Sequence, residues 1–195
     1  MQVTLEKESH VYRDERKRVI PGITTILTEA RMLDPSWFTD IGKARGSAVH
    51  AACHYLDEND LDLSSVDASI QGYVRAWEKF VRESGVVFNL IEETVWSDIH
   101  GFACTPDRFG IMGGEFSVIE IKSGDVEPWA GVQTAAQGIC AVEQGYAPYI
   151  SKRGAVRLFM NGDYRWNGFT DPGDLAAALG AVATYHWRKN KGLIK

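Results

Sequence analysis

Cysteine is scarce in this chain, with three residues, Cys53, Cys104 and Cys140, in a sequence of 195. They are odd in number, scattered and without CxxC spacing, so they make no disulfide framework, zinc ribbon or iron–sulfur cluster. A reducing, cytoplasmic setting is the expectation. No apolar run is long enough for a membrane span, and the opening MQVTLEKESH is too polar to read as a signal peptide. Repeats, low-complexity tracts and Pro/Gly/Ser-rich linkers are also missing, which predicts one domain over residues 1–195. Positive charge is not in excess: 21 Lys and Arg face 26 Asp and Glu, a net −5. That balance counts against a protein that coats nucleic acid nonspecifically. The charge is unevenly spread, however. Residues 151–195 hold eight basic residues against three acidic ones, leaving 13 against 23 in residues 1–150. A basic C-terminal third beside an acidic remainder suits a backbone-binding surface next to a metal centre, although charge fluctuates along any chain.

What is present reads as alternating elements. SHVYRDERKRVIPG predicts a hairpin, and PGITTIL a short helix capped by Thr24. RMLDPSWFTD predicts a loop carrying Trp37 and Phe38. Helices are expected over 41–56, with an apolar stripe of Ala44, Ala48, Ala51 or Ala52 and Tyr55, and over 66–83, with Ile70, Tyr73, Trp77, Phe80 and Val81. Strands are expected over 90–97, 101–109 and 116–123. WAGVQTAAQGICAVEQG follows as a helix ending at Gly145. GAVRLFMNGDYRWNGF predicts a hairpin turning at Asn161-Gly162, and a last helix spans 171–188. This order predicts an α/β (α+β) fold, a central mixed sheet flanked by helices. Residues 1–40 would be an elaboration, 41–160 the core, and 161–195 a C-terminal hairpin and helix.

Three segments carry polar groups that a core would not choose. In VIEIKSG, strand alternation sets Ile119 and Ile121 on one face and Val118, Glu120 and Lys122 on the other. In GFACTPDRFG the alternation groups Asp107 with Ala103, Thr105 and Phe109, while Pro106 removes a ladder donor just before the acid. In RGSAVH, Gly46 and His50 lie one helical turn apart, and the glycine allows a ligand close approach. Each has an ordinary reading: a solvated strand face, a turn, a surface histidine. Together they put two carboxylates and an ammonium on adjacent strands. Two oxygen ligands, Asp107 and Glu120, suit Mg²⁺ or Mn²⁺, one ion or two. The Ile121 carbonyl and His50 would complete such a site, and Lys122 would orient a water or neutralise phosphoryl charge.

PD followed by EIK resembles the PD-(D/E)xK nuclease superfamily. The helical Gly46-Ser-Ala-Val-His50 and the later Gln133-Thr-Ala-Ala-Gln137 point to its RecB-like branch. PGITTIL and RGSAVH are similar to openings in phage-encoded RecB-like exonucleases and the mitochondrial genome-maintenance exonuclease, which would place the chain in a bacterial or phage-infected cell. The resemblance runs from about residue 10 to residue 145. It implies a restriction-endonuclease-like αβββαβ core in which His50, Asp107, Glu120 and the Ile121 carbonyl bind metal. It also implies that Lys122 assists the nucleophile and that Gln133 positions Lys122 or the DNA backbone. Relatives suggest an auxiliary acid on the first strand, where Glu93 is favoured over Glu92. The chain departs from the family at Gln137, where a tyrosine is usual, and in lacking the four cysteines of some relatives.

These readings predict a metal-dependent deoxyribonuclease, an exonuclease on DNA ends or single strands that leaves a 5′-phosphate. The alternatives are a structure-specific endonuclease and a non-cleaving DNA- or protein-binding module. Backbone contacts are assigned to Lys43, Arg45, Arg108, Gln137, Lys152, Arg153 and Arg157, and base stacking to Trp37, Phe38 or Trp129. No membrane partner is expected; a recombination or replication protein is a further candidate partner.

Overall fold

Alternating and helix-spaced segments both become elements in the computed structural model, which describes residues 2–6 and 9–194. Met1, Lys7, Glu8 and Lys195, which belong to the expected domain, lie outside the described residues. The chain runs β1 (Val3–Glu6), β2 (Val11–Asp14), β3 (Val19–Ile20), α1 (Ile23–Glu29), α2 (Asp40–Asp57) and α3 (Gln71–Ser84). It continues β4 (Val87–Ile91), β5 (Val95–Ser97), β6 (Phe102–Cys104), β7 (Arg108–Met112) and β8 (Glu115–Lys122). The last elements are α4 (Trp129–Glu143), β9 (Lys152–Leu158), β10 (Tyr164–Gly168) and α5 (Gly173–Asn190).

A mixed five-stranded sheet in the order β10-β9-β8-β7-β4 forms the centre. Only the β8–β9 pair is parallel, and α4 makes the crossover between them. The succession α3, β4, β7, β8, α4, β9 matches the expected αβββαβ order, with the small β5–β6 ladder inserted between the first two core strands. A separate sheet, β1-β2-β3, forms the N-terminal elaboration. It docks through the Tyr12 hydroxyl, 3.0 Å from Thr105 Oγ1, and through the Ala103 N–H, which donates to the Pro21 carbonyl.

Alternation along β8 divides the interior into two apolar bodies. Ile119 and Ile121 pack with Val49 and Cys53 of α2 and with Trp77 and Phe80 of α3. Val118 packs on the opposite side with Cys140 of α4, Ala178 and Tyr185 of α5, and Ile26 of α1. The helix-spaced aromatics of α3 are core, as their period implies. None of the helices among the described residues is long and apolar enough to cross a membrane.

Four expectations are corrected. Helix α1 is capped by Gly22 without a side-chain bond, so Thr24 is not its cap. The expected stripe on α2 faces outward except at Ala52, the alternative to Ala51: Ala44, Ala48, Ala51 and Tyr55 are exposed, whereas Val49, Ala52 and Cys53 are buried. Alanine contributes little apolar area, so the larger Val49 set the packing face. Helix α3 starts five residues later than its period suggested, after a 3₁₀ turn at Leu63–Ser65. The long strands expected over 90–97 and 101–109 are each broken. The first stops where Glu92 takes a left-handed φ of 51°, and the second stops before Pro106, which cannot donate to a ladder.

Arg108 is buried completely at the start of β7. Its Nε donates to Asp57 Oδ2 at 2.7 Å, and its guanidinium lies over the rings of Trp77 and Phe88. Asp57 also accepts from the Trp77 indole N–H at 2.9 Å. An ion pair this deep is retained because each partner alone would be an uncompensated charge. Asp57→Ala is therefore expected to cost about 3–5 kcal/mol in urea denaturation, and Asp57→Leu combined with Arg108→Met to recover most of it. Equal losses in the two variants would show that the pair is itself the source of stability.

Candidate active site

The polar end of β8 is where the three singled-out segments meet. The β7–β8 ladder ends at the Arg108–Ile119 pair, and Asp107 stands just beyond it, close enough to Glu120 to repel its charge. Asp107 sits in the break that Pro106 creates between β6 and β7, so its side chain is free of the strand's own alternation. Its Oδ2 accepts the Ile121 N–H at 2.7 Å, and its Oδ1 is 3.3 Å from His50 Nδ1. His50 reaches over from α2, and its Nε2 lies 2.9 Å from the Ile121 carbonyl oxygen. Glu120 is 2% exposed. Its Oε2 accepts from Lys122 Nζ at 2.7 Å, and its Oε1 accepts from Gln137 Nε2 of α4 at 2.8 Å. Lys122 Nζ also lies 5.5 Å from the centre of the Trp129 ring, which Phe38 meets edge-on.

These contacts set the charge states. Burial alone would raise the Asp107 carboxyl, but His50, Lys122 and the Ile121 N–H outweigh it and hold it down at about 2. Burial also opposes a charged His50, yet Asp107 beside it raises the imidazole above its ordinary value. Glu120 is pushed up by burial and by Asp107, against the pull of Lys122 and Gln137. Lys122 is raised because Glu120 and Asp107 together outweigh its burial. Both members of the Glu120–Lys122 pair move upward because one ammonium serves two carboxylates, which repel each other.

Among the described residues, no three His, Cys, Asp or Glu side chains converge closely enough, as they stand, to hold an ion. The hydrogen bonds account for this. Glu120 spends both oxygens on N–H donors from Lys122 and Gln137, and His50 spends both nitrogens on Asp107 and Ile121. The donor set nevertheless fits a hard divalent ion: two carboxylates, one carbonyl and one imidazole, with exchangeable N–H groups occupying the oxygens.

A cleft of about 410 Å³ opens over Lys122, lined by Trp37, Phe38, Lys43, Arg45, Gly46 and His50. Trp37 is 57% exposed and Phe38 40%, an unusual amount of free aromatic surface beside a charged floor. Nothing lies within 4 Å of where a Cβ on Gly46 would stand, so the glycine keeps the helix wall open next to His50. A second cleft, of about 430 Å³, holds Asp107, Glu92 and His10 and shares Gly46 and His50 with the first.

The structure brings together His50, Asp107, Glu120, Ile121 and Lys122, with Lys43, Arg45 and Trp37 around the same cleft. Other expected residues fall elsewhere. Glu93 is exposed; Glu92 is the acid turned inward, 3.6 Å from His54 and from Arg108. Arg108 is sealed in the core and is not a backbone contact. Arg153 donates to the Gly131 carbonyl at 2.7 Å and pairs with Asp174, tying β9 to α4 and α5. Lys152 pairs with Glu115 at the opposite end of β8 from Lys122. Gln137 is fully buried and holds Glu120, so it is no surface contact. Gln133, one turn earlier, is nearly buried, and its Oε1 has no partner. The role of Gln137 depends on how closely α4 packs on β8, a distance that helical spacing does not encode.

If Gln137 orients Glu120, Gln137→Met should leave DNA affinity unchanged while weakening Mn²⁺-induced thermal stabilisation. Loss of a hydrogen bond to a charged group is worth about 1.5–3 kcal/mol, roughly a tenfold or greater loss in Mn²⁺ affinity. An undiminished shift in melting temperature would assign Gln137 to packing alone.

Neither a family model nor a curated protein matches this chain. Among solved structures, a candidate exonuclease from Eubacterium rectale is similar with a TM-score of 0.46 and 9% identity, over 77% of this chain and 69% of its own. An alkaline exonuclease from Laribacter hongkongensis is similar with a TM-score of 0.35 and 17% identity, over 74% of this chain and 84% of its own.

Proposed function

We propose that this protein is a metal-dependent deoxyribonuclease that hydrolyses phosphodiester bonds from DNA ends or in single strands, leaving a 5′-phosphate and a 3′-hydroxyl. One observation carries the reading. Two carboxylates, Glu120 buried and Asp107 largely so, meet a histidine, a backbone carbonyl and a lysine at one end of β8. His50, Ile121 and Lys122 line a cleft walled by Lys43, Arg45 and Trp37, and Asp107 lines the adjoining cleft that shares His50. The order and spacing of GxxxH, PD and ExK in the sequence support the same reading.

His50, Asp107, Glu120 and the Ile121 carbonyl would hold Mg²⁺ or Mn²⁺. Such an ion, when bound, supplies Lewis acidity that activates water and neutralises phosphate charge. Lys122 donates hydrogen bonds to the attacking water and to the charge that develops on the scissile phosphate. Trp129 beneath it limits where the ammonium can move. Gln137 orients the Glu120 carboxylate through its Oε1. Arg45 and Lys43 hold the phosphates of the strand, and Trp37 offers a face on which an unpaired base stacks.

The test is cleavage of end-labelled linear single-stranded, linear duplex and covalently closed circular DNA with Mn²⁺, Mg²⁺ or EDTA. Metal-dependent loss of linear but not circular DNA is expected. Lys122→Ala should lower kcat by about 10²–10³-fold, the cost of removing a donor aimed at developing charge. Cleavage of closed circles would make the enzyme an endonuclease, and wild-type turnover by Lys122→Ala would sink the assignment of Lys122. Absence of cleavage on every substrate would favour a binding module on the same fold. Trp37→Ala should raise KM for single-stranded DNA about five- to tenfold, the lower end of the roughly 1–3 kcal/mol that a stacked base contributes, and change duplex KM less.

A further inference from the structure

A carboxylate in a cleft that receives a polyanion calls for a reason, and Asp125 is such a carboxylate. Its Oδ1 lies 2.5 Å from Arg157 Nη2. In the parallel β8–β9 ladder Arg157 is the register partner of Lys122, so the two side chains leave the sheet on the same side. The Arg157 guanidinium is set over the Phe159 ring, 5.2 Å from its centre. The pair is lopsided: the Arg157 side chain is 34% exposed and that of Asp125 is 73% exposed. The acid can therefore swing into solvent while the arginine stays in place. On the other flank of the same turn, Arg45 Nε lies 3.5 Å from Ser123 Oγ. Two guanidiniums thus bracket residues 123–125, immediately after Lys122.

Building on the nuclease reading, we infer that Arg157 is a phosphate-binding residue held in reserve, with Asp125 occupying the place of a substrate phosphate until a strand arrives. The other arginines of this region give the contrast. Arg153 is committed to Gly131 and Asp174, and Arg108 to Asp57 in the core, so neither can be released without loosening the fold. Arg157 is tied to an exposed acid on a turn, and exposed single ion pairs are weak. A phosphate offers the guanidinium a two-pronged, charge-assisted contact that is stronger. Exchange therefore favours the strand. Until it occurs, the cleft carries one positive charge fewer and attracts stray anions less.

Steady-state cleavage of a labelled single-stranded oligonucleotide with Mn²⁺, at several salt concentrations, tests this. Asp125→Asn should lower KM about two- to fivefold, the strength of an exposed ion pair. It should also steepen the salt dependence by about one phosphate contact. Arg157→Gln should raise KM roughly tenfold, the cost of a lost hydrogen bond between charged groups, and flatten that dependence. Arg157→Lys should fall between, keeping the charge without the fork. The double variant Asp125→Asn/Arg157→Gln should match Arg157→Gln alone, since nothing remains to be masked. Thermal melts of each variant separate these effects from loss of fold. An Asp125→Asn protein with wild-type or raised KM, or additive effects in the double variant, would overturn the inference while wild-type cleavage leaves the nuclease reading standing. If the wild type cleaves no DNA, both fall together.

Discussion

Ile121 is held from both sides, and the geometry of the candidate centre depends on that. Its N–H is taken by Asp107 Oδ2 and its carbonyl by His50 Nε2, while its side chain is fully buried against α2 and α3. A residue so fixed has no freedom to tilt, and its neighbours Glu120 and Lys122 inherit that rigidity on the opposite face. The strand is also central in the sheet, with β7 and β9 on either side. Positional precision of this kind comes from packing as much as from the polar groups themselves.

Much of this was legible in the residues because it depends on period. Two-residue alternation in VIEIKSG separates Ile119 and Ile121 from Val118, Glu120 and Lys122, and the structure puts Ile119 and Ile121 in one core and Val118 in the other. The aromatic spacing of α3, the crossover helix and the hairpin at Asn161-Gly162 follow from similarly local rules. What the residues conceal is set by the distances between elements. Of the alanines on α2 that read as a packing stripe, Ala44, Ala48 and Ala51 face solvent and only Ala52 is buried, because Val49 and Cys53 offer more surface to bury. Glu92 and Glu93 cannot be told apart by alternation, since the strand ends at Glu92 in a left-handed turn. Gln137 reads as a departure from a pattern, and only the approach of α4 to β8 reveals that its amide reaches Glu120.

Positive charge shows the same limit. Arg108, Arg153 and Arg157 are equivalent as letters, but one lies in the core, one clamps two helices to a strand and one pairs with Asp125 of the cleft wall. A guanidinium is suited to all three tasks because it stacks on rings, forks onto oxygens and is weakly hydrated. The uneven charge along the chain is therefore a poor guide to where a strand would lie. Part of the basic C-terminal excess goes into holding β9 against α4 and α5.

The parallel pairing of β8 with β9 has a consequence for how the protein comes into being. Antiparallel neighbours β7 and β8 follow one another in the chain and can zip as soon as both are made. β9 reaches β8 only after all of α4 has been synthesised and has packed across the sheet, and such non-local pairings form slowly. Until then Lys122 lies on an open edge without Arg157 beside it, and before α4 packs Glu120 lacks the amide of Gln137. The residues that would do chemistry are thus present early but are arrayed only near the end of folding. A chain still emerging from the ribosome carries the residues of the candidate centre without yet having them in place.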